Sequence, residues 1–229
     1  MPVYALLGAT GSTGSAILRC LFAQPPPQLT LNIFVRNKSK LLKAFPDLES
    51  TTTFKVNIIE GTLSHETAMQ ECLRDVDVTM ACIATNYSTR GMSICYDTAA
   101  AIDALRVLQK TRGYKPPTII QLRSASVNRI LSAAMPWLAR NMASFCFHHV
   151  DEDLRRASTM FTSAAAEPPG LLHYIFVDPP AIHDPDGTTE RRDEFRDREV
   201  GPTATGEVNL TVGILFGYLI AGLKSRILG

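Results

Sequence analysis

The chain has 229 residues, of which 45% are hydrophobic and 20% charged, and this length predicts a single globular domain. The formal net charge is only +1, so the basic surface that a nucleic-acid partner requires is not expected. The five cysteines have no paired spacing, which argues against a zinc site or a disulfide framework and favours a cytoplasmic protein without a metal ion.

Neither the start of the sequence nor its longest apolar run has the pattern of a targeting signal or a membrane span. Met1 and Pro2 lead directly into an apolar strand pattern, without the basic region and cleavage site of a secretory signal. The longest apolar run, residues 210–223, is shorter than the roughly 20 residues that a helix needs to cross a bilayer. We therefore expect no stable membrane insertion.

Short apolar runs alternate with segments of helical periodicity along the chain. The apolar runs predict strands at residues 3–7, 31–35, 54–59, 76–84, 118–122 and 172–177. The segments between them predict helices at residues 15–22, 39–45, 64–73, 96–110 and, as one or two helices, 130–162. This alternation predicts an α/β fold, a doubly wound parallel sheet of the Rossmann type, as a single domain over residues 1–229 with short substrate-side helices near the C-terminus.

The first strand is followed by a glycine-rich loop that is typical of a dinucleotide site. Its sequence is Gly8-Ala9-Thr10-Gly11-Ser12-Thr13-Gly14. Gly8 permits a tight turn, Gly11 permits close approach of a pyrophosphate, and Gly14 permits close packing of the helix on the sheet. The hydroxyl groups of Ser12 and Thr13 add hydrogen-bond donors, and the N-terminus of the next helix faces the phosphates. A purely structural turn is the alternative interpretation.

The end of the second strand indicates which dinucleotide is bound. An acidic residue at this position accepts hydrogen bonds from the ribose of NAD, whereas an arginine pairs with the 2′-phosphate of NADP. The sequence has Arg36 there, with Lys40 nearby and no acid in between. This pattern favours NADP (NADPH), and a solvated basic turn is the alternative.

The glycine loop together with Val35-Arg36-Asn37 resembles the atypical short-chain dehydrogenase/reductases, the NAD(P)-binding group that includes NmrA-like proteins and biliverdin/flavin reductases. The resemblance extends to further positions of the chain. It implies cofactor contacts from Thr10, from Thr62 and Leu63 near the adenine, from Ala84, Thr85 and Asn86 after strand four, and from Pro179 at the nicotinamide end. It also places an active-site serine at Ser124 or Ser126.

Residues 147–150, 153–157 and 177–180 are similar to those of small fungal oxidoreductases of secondary-metabolite pathways, averufin-pathway types among them. This similarity implies an aromatic or polyketide-derived substrate. It is an association with a family and does not follow from the chemistry of individual residues.

The sequence departs from the usual family pattern because no Tyr-x-x-x-Lys occurs in it. In that pair the lysine lowers the pKa of the tyrosine, which then passes a proton to the carbonyl oxygen. His149 is the best replacement acid, because histidine titrates near neutrality and Asp153 on the same helix face could orient it. His148 competes for this role, and a solvent-exposed histidine pair is the alternative. Ser124 and Ser126 either contact the substrate or are turn hydroxyls.

These residues together predict an NADPH-dependent oxidoreductase that acts on a small apolar or aromatic carbonyl, quinone or enone compound. Two other functions fit the same fold: a non-redox isomerase, dehydratase or cyclase, and a non-catalytic NAD(P) sensor of the NmrA-like type. The apolar residues 135–147 and 210–223 predict core packing, a substrate-pocket wall or a homodimer interface.

Overall fold

The computed structural model describes residues 1–62, 65–83, 99–168 and 170–178 of the chain. The strands in these ranges are β1 (Val3–Leu7), β2 (Thr30–Val35), β3 (Lys55–Glu60), β4 (Val78–Ala81), β5 (Thr118–Leu122) and β6 (His173–Val177). The helices are α1 (Ser12–Ala23), α2 (Lys38–Ala44), α3 (Glu66–Leu73), α4 (Ala100–Gln109), α5 (Arg129–Ala134), α6 (Trp137–Cys146) and α7 (His148–Ala166). A short 3-10 turn, Pro46–Leu48, follows α2.

The six strands form one parallel sheet in the order β3-β2-β1-β4-β5-β6. This order confirms the predicted doubly wound Rossmann-like sheet. The chain winds outward from β1 to β3 and then returns to place β4 on the other side of β1. Leu7 at the end of β1 therefore pairs with Phe34 on one side and Ala81 on the other. Ligands of such sheets bind where the strand order reverses, at the carboxyl ends of the strands.

Successive residues of β1 point to opposite faces of the sheet and build two separate cores. Ala5 and Leu7 belong to the core that α3, α4 and α7 cover, with Phe161 at its centre. Leu6 belongs to the core that α1 and α2 cover, together with Leu18. Both faces of the central strand are buried, which explains why β1 reads as a continuous apolar run.

Several helix boundaries differ from the predicted ones. Helix α1 begins at Ser12 and not at residue 15, because Gly11 already has the extended backbone of an N-cap. Helix α3 begins at Glu66 after His65, whereas the predicted start, Ser64, lies outside the described residues. The segment 130–162 forms parts of three helices and not one or two, because Pro136 lacks the amide hydrogen needed to continue a helix.

Helix α6 keeps a row of apolar side chains at the surface. Trp137, Leu138 and Phe145 are each more than half exposed, whereas Ala143 and Cys146 are buried on the opposite side. In the part of the chain that the structure describes, no helix is long and apolar enough to cross a membrane. The apolar run 210–223 lies outside the described residues.

The contact at Gly14 gives a test of the fold. A Cβ atom at Gly14 would lie 2.1 Å from the Gly8 carbonyl oxygen, whereas one at Gly11 would lie 3.3 Å from the same atom. We expect Gly14→Ala to lower the free energy of unfolding by about 3 kcal/mol or more, because a rigid backbone atom must move. Gly11→Ala is the matched control and should cost clearly less. Equal urea midpoints for the two variants would contradict this account.

Candidate active site

The parallel sheet brings the sequence-predicted residues to one edge of the molecule. Gly8 follows β1, Arg36 follows β2, Thr62 follows β3 and Ser124 follows β5. All of these strands run in the same direction, so their carboxyl ends lie side by side. The candidate cofactor residues and the candidate active-site serines therefore share one edge, which is the edge where this fold binds ligands.

The glycine loop is packed tightly against the backbone that follows β4. Gly8 has a φ of +88°, and a Cβ atom there would lie 2.9 Å from the carbonyl group of Cys82. The Gly11 amide donates to the Gly8 carbonyl at 3.0 Å and closes the turn. Both Gly8 and Gly14 are thus required by backbone contacts, which is the role that the sequence predicted for them.

The N-terminus of α1 is open toward a ligand. No side chain caps this end, and the first turn carries no acidic residue. The first amides of a helix have no partner within the helix, so those of Ser12, Thr13 and Gly14 can donate to an anion. Thr10, Gly11 and Ser12 are exposed. The loop therefore fits the pyrophosphate of a dinucleotide.

The basic residues after β2 differ in whether they are already engaged. Lys38 forms an ion pair with Glu49 at 2.7 Å. The backbone amide of Lys40 donates to the Asn37 side chain at 2.7 Å, and its ammonium group forms no ion pair with a described residue. Arg36 is exposed and forms no ion pair with another described residue. Its guanidinium is therefore available to a phosphate group.

The two candidate active-site serines form a hydrogen-bonded chain that ends at a buried acid. The hydroxyl oxygens of Ser124 and Ser126 are 2.8 Å apart. Ser126 donates to the side chain of Asp151 at 2.6 Å. Asp151 lies in the first turn of α7 and is only 3% exposed. The serines are predicted from the sequence, whereas this acid is not.

Burial has the largest effect on the pKa of the Asp151 carboxyl group. Desolvation raises the pKa of its carboxyl group, while the hydrogen bond from Ser126 and the positive charges of Arg155 and His148 lower it to a smaller extent. Among the described residues, its carboxylate makes no ion pair. Asp151 is thus a buried acid that is held by a hydroxyl group rather than by a salt bridge.

The acid that follows β6, Asp178, is partly buried and fully engaged in structural contacts. Its carboxylate receives two hydrogen bonds from Arg123, at 2.7 and 2.6 Å, and one from Asn128 at 2.8 Å. The Arg123 guanidinium also lies 4.0 Å from the centre of the Phe176 ring and donates to Ser158 at 3.2 Å. These contacts tie the ends of β5 and β6 to α7, so Asp178 is a structural residue here.

The predicted histidine acid also lies on the first turn of α7. The rings of His148 and His149 are 5.3 Å apart, and His148 lies 3.9 Å from Glu152, which also pairs with Arg156. Asp153 is buried on the same helix. In the structure the serine pair is hydrogen-bonded to Asp151. The catalytic role of His149 with Asp153 stays a prediction.

Several predicted contacts lie outside the described residues, namely Leu63, Ala84, Thr85, Asn86 and Pro179. Thr62 is described, and its amide donates to the His65 ring at 3.4 Å. Burial raises the pKa of the Cys82 thiol to about 11, so this thiol is protonated at neutral pH and a poor nucleophile. Asp151 could have been found from its spacing to Arg155, because these residues are four apart within the predicted helical segment 130–162.

This sheet with its glycine loop defines the class of Rossmann-fold dinucleotide-binding proteins. Residues 8–208 match the model of a family described as NAD(P)H-binding. The chain belongs to this NAD(P)H-binding family.

The chain is similar to several fungal oxidoreductases. The chain is 44% identical to averufin oxidase A of Dothistroma septosporum, over 99% of this chain and 92% of the relative. It is 39% identical to averufin oxidase A of Aspergillus flavus, over 99% and 91%. A short-chain dehydrogenase/reductase of Veillonella parvula, solved in complex with NADP, has the same fold, with a TM-score of 0.53, 14% identity and coverage of 77% of this chain and 68% of that one.

The buried pair at the end of β5 gives a test of the site's framework. The side chains of Arg123 and Asp178 are 13% and 9% exposed. We expect Asp178→Ala to lower the free energy of unfolding by about 3 to 5 kcal/mol, because it leaves a buried guanidinium without its partner.

The matched control is Asp103→Ala, which removes an acid from an exposed pair with Arg106. This variant should change the unfolding free energy by less than about 1 kcal/mol. Chemical denaturation of both variants checks the difference, and a small effect at Asp178 would contradict a structural role for the pair.

Proposed function

We propose that the protein is an NADPH-dependent oxidoreductase that transfers hydride to or from a small aromatic or apolar carbonyl, quinone or enone compound. The observation that carries the proposal is the edge of the sheet on which an open glycine loop and a hydrogen-bonded serine pair lie together. Membership of an NAD(P)H-binding family supports the cofactor. The names of the relatives, averufin oxidase among them, support redox chemistry in a secondary-metabolite pathway.

The glycine loop and the residues after β2 would hold the cofactor. Gly8, Gly11 and Gly14 shape the loop, and the amides of α1 would face the pyrophosphate. Arg36, with Lys40 beside it, would face the 2′-phosphate, which favours NADPH over NADH. The nicotinamide, when bound, supplies the hydride.

The serine pair would orient the reacting oxygen of the substrate. Ser126 lines a cavity of about 430 Å³ that is also lined by Val127, Ser132 and Arg155. A hydroxyl group fixed by its own hydrogen bonds stabilises charge on a substrate oxygen without costly reorganisation. The exposed apolar row of α6 begins at Trp137, shortly after Ser132 in the sequence, and Ser132 lines this cavity. Such a row suits an aromatic substrate or a second copy of the protein in a homodimer.

The choice of cofactor is tested by fluorescence titration with NADPH and NADH. We expect Arg36→Ala to weaken NADPH binding by about 10- to 100-fold, because a charge-assisted contact to the phosphate is lost. NADH binding should change little, since NADH has no 2′-phosphate.

Lys38→Ala is the control, because Lys38 is two residues away and already paired with Glu49. It should leave both affinities nearly unchanged. Equal weakening of NADPH and NADH by Arg36→Ala would show that this residue does not read the phosphate. Failure of the wild-type protein to bind either nucleotide would contradict the proposed function.

A further inference from the structure

Asp151 is a buried acid for which the proposed cofactor site and the fold give no use. It is 3% exposed, and its hydrogen bond from Ser126 joins α7 to the turn after β5. Burying a carboxyl group without an ion pair costs free energy. Because an apolar or amide side chain would avoid this cost, we look for a function of Asp151 that only a carboxyl group can perform.

The position of Asp151 at the start of α7 does not supply that role. An acid in the first turn of a helix can stabilise the helix by its charge. Asp151, however, directs its carboxylate to Ser126 of another element. Its own amide donates to the Phe147 carbonyl at 2.8 Å as part of the helix. The carboxylate is therefore committed to the serine pair.

We propose that Asp151 is the proton reservoir of the reaction, acting on the substrate oxygen through Ser126, with Arg155 as its charge partner. This inference rests on the proposed oxidoreductase function and assigns its proton path. Asp151 does not touch the substrate oxygen itself, so it is a positioning residue, and Ser126 is the group that contacts the substrate.

The spacing of Asp151 and Arg155 supports this assignment. The two residues are four apart and share a helix face, which is also the spacing of the Tyr-x-x-x-Lys pair that the sequence lacks. Arg155 lines the same cavity as Ser126, and its charge acts on the Asp151 carboxylate. Asp151 and Arg155 thus place a carboxyl group and a cation near Ser126, whereas the Tyr-x-x-x-Lys pair consists of a phenol and a cation.

The proton balance of the step is simple. Reduction of a carbonyl adds hydride to carbon, from the nicotinamide, and a proton to oxygen. Ser126 gives its hydroxyl proton to the developing alkoxide, and the Asp151 carboxyl group gives its proton to the Ser126 oxygen. Asp151 is left as a carboxylate and takes up a proton from solvent before the next turnover. In oxidation of an alcohol the proton moves along the same path in reverse.

The charged groups around Asp151 set the direction of its pH dependence. Arg155 and His148 face it from its own helix and favour the carboxylate, and the hydrogen bond from Ser126 does the same. At the end of β5, Arg123 and Asp178 pair with each other. Burial outweighs the opposing effects, so the carboxyl form persists above the usual range of an aspartate.

The test is the pH profile of the variant Asp151→Asn, which keeps an acceptor for Ser126 but holds no proton. The probes are 9,10-phenanthrenequinone and 4-nitrobenzaldehyde, with NADPH consumption as the readout. We expect kcat of the variant to fall by about 100-fold, the lower range for general acid catalysis. The KM for NADPH should stay unchanged. In the wild type kcat should decline as pH rises through the pKa of Asp151, and this decline should be absent in the variant.

Glu152→Gln is the matched control, because it makes the same chemical change at the next, half-buried position, where Glu152 pairs with Arg156. Its kcat should stay within about twofold of the wild type. Asp151→Glu should restore part of the activity and the pH-dependent decline.

Two outcomes separate this inference from the proposed function. A wild-type protein that binds NADPH but reduces neither probe contradicts the proposed function. An active wild type whose pH profile is kept in Asp151→Asn overturns the role of Asp151, as does a profile that is lost in His149→Ala and not in Asp151→Asn.

Stability gives an independent readout of the same assignment. Because burial raises the pKa of Asp151, the folded state binds this proton more tightly than the unfolded state, and the wild type loses stability as pH rises through that range. We expect Asp151→Asn to be at least as stable as the wild type at neutral pH, with an advantage that shrinks as pH falls. A variant that is strongly destabilised at neutral pH would indicate that Asp151 is a structural residue.

Discussion

The close packing of Gly8 against Gly14 is the contact on which the cofactor edge of this protein depends. The Gly8 carbonyl oxygen occupies the space that a Cβ atom at Gly14 of α1 would need. A Cβ atom at Gly8 would in turn clash with the Cys82 carbonyl group. This contact lets α1 start directly above the end of β1. The amides of its first turn then face the point where the strand order reverses, so the same backbone contact that packs the helix also shapes the proposed pyrophosphate site.

A second constraint acts at the end of β5. The Arg123–Asp178 pair is buried and bidentate, and it joins β5 and β6 beneath the turn that carries the serines. The serine pair is hydrogen-bonded to another acid, Asp151, which forms no ion pair with the residues that the structure describes. A buried acid in contact with hydroxyl groups suits the proton transfer proposed above rather than direct attack by a strong nucleophile.

Much of the fold follows from local patterns in the sequence. The alternation of apolar runs and helical segments predicted all six strands and the doubly wound sheet. The signal is strongest for the central strands, which are buried on both faces and therefore need continuous apolar residues. The glycine loop predicted the position of α1 but not its first residue, since Gly11 can take the N-cap conformation and the helix begins three residues early. The division of residues 130–162 into three helices depended on single residues such as Pro136, which periodicity does not resolve.

The sequence alone determined the class of the protein and the cofactor edge, because the glycines, the arginine after β2 and the first strand lie close together in the chain. Their chemistry is set by local backbone geometry. Only the tertiary structure decided which acid meets the active-site serines. Ser126 and Asp151 are 25 residues apart, and the helices between them determine which face of α7 turns toward β5. Because burial and hydrogen bonding set the pKa of an acid, its role could be read only once that packing was known.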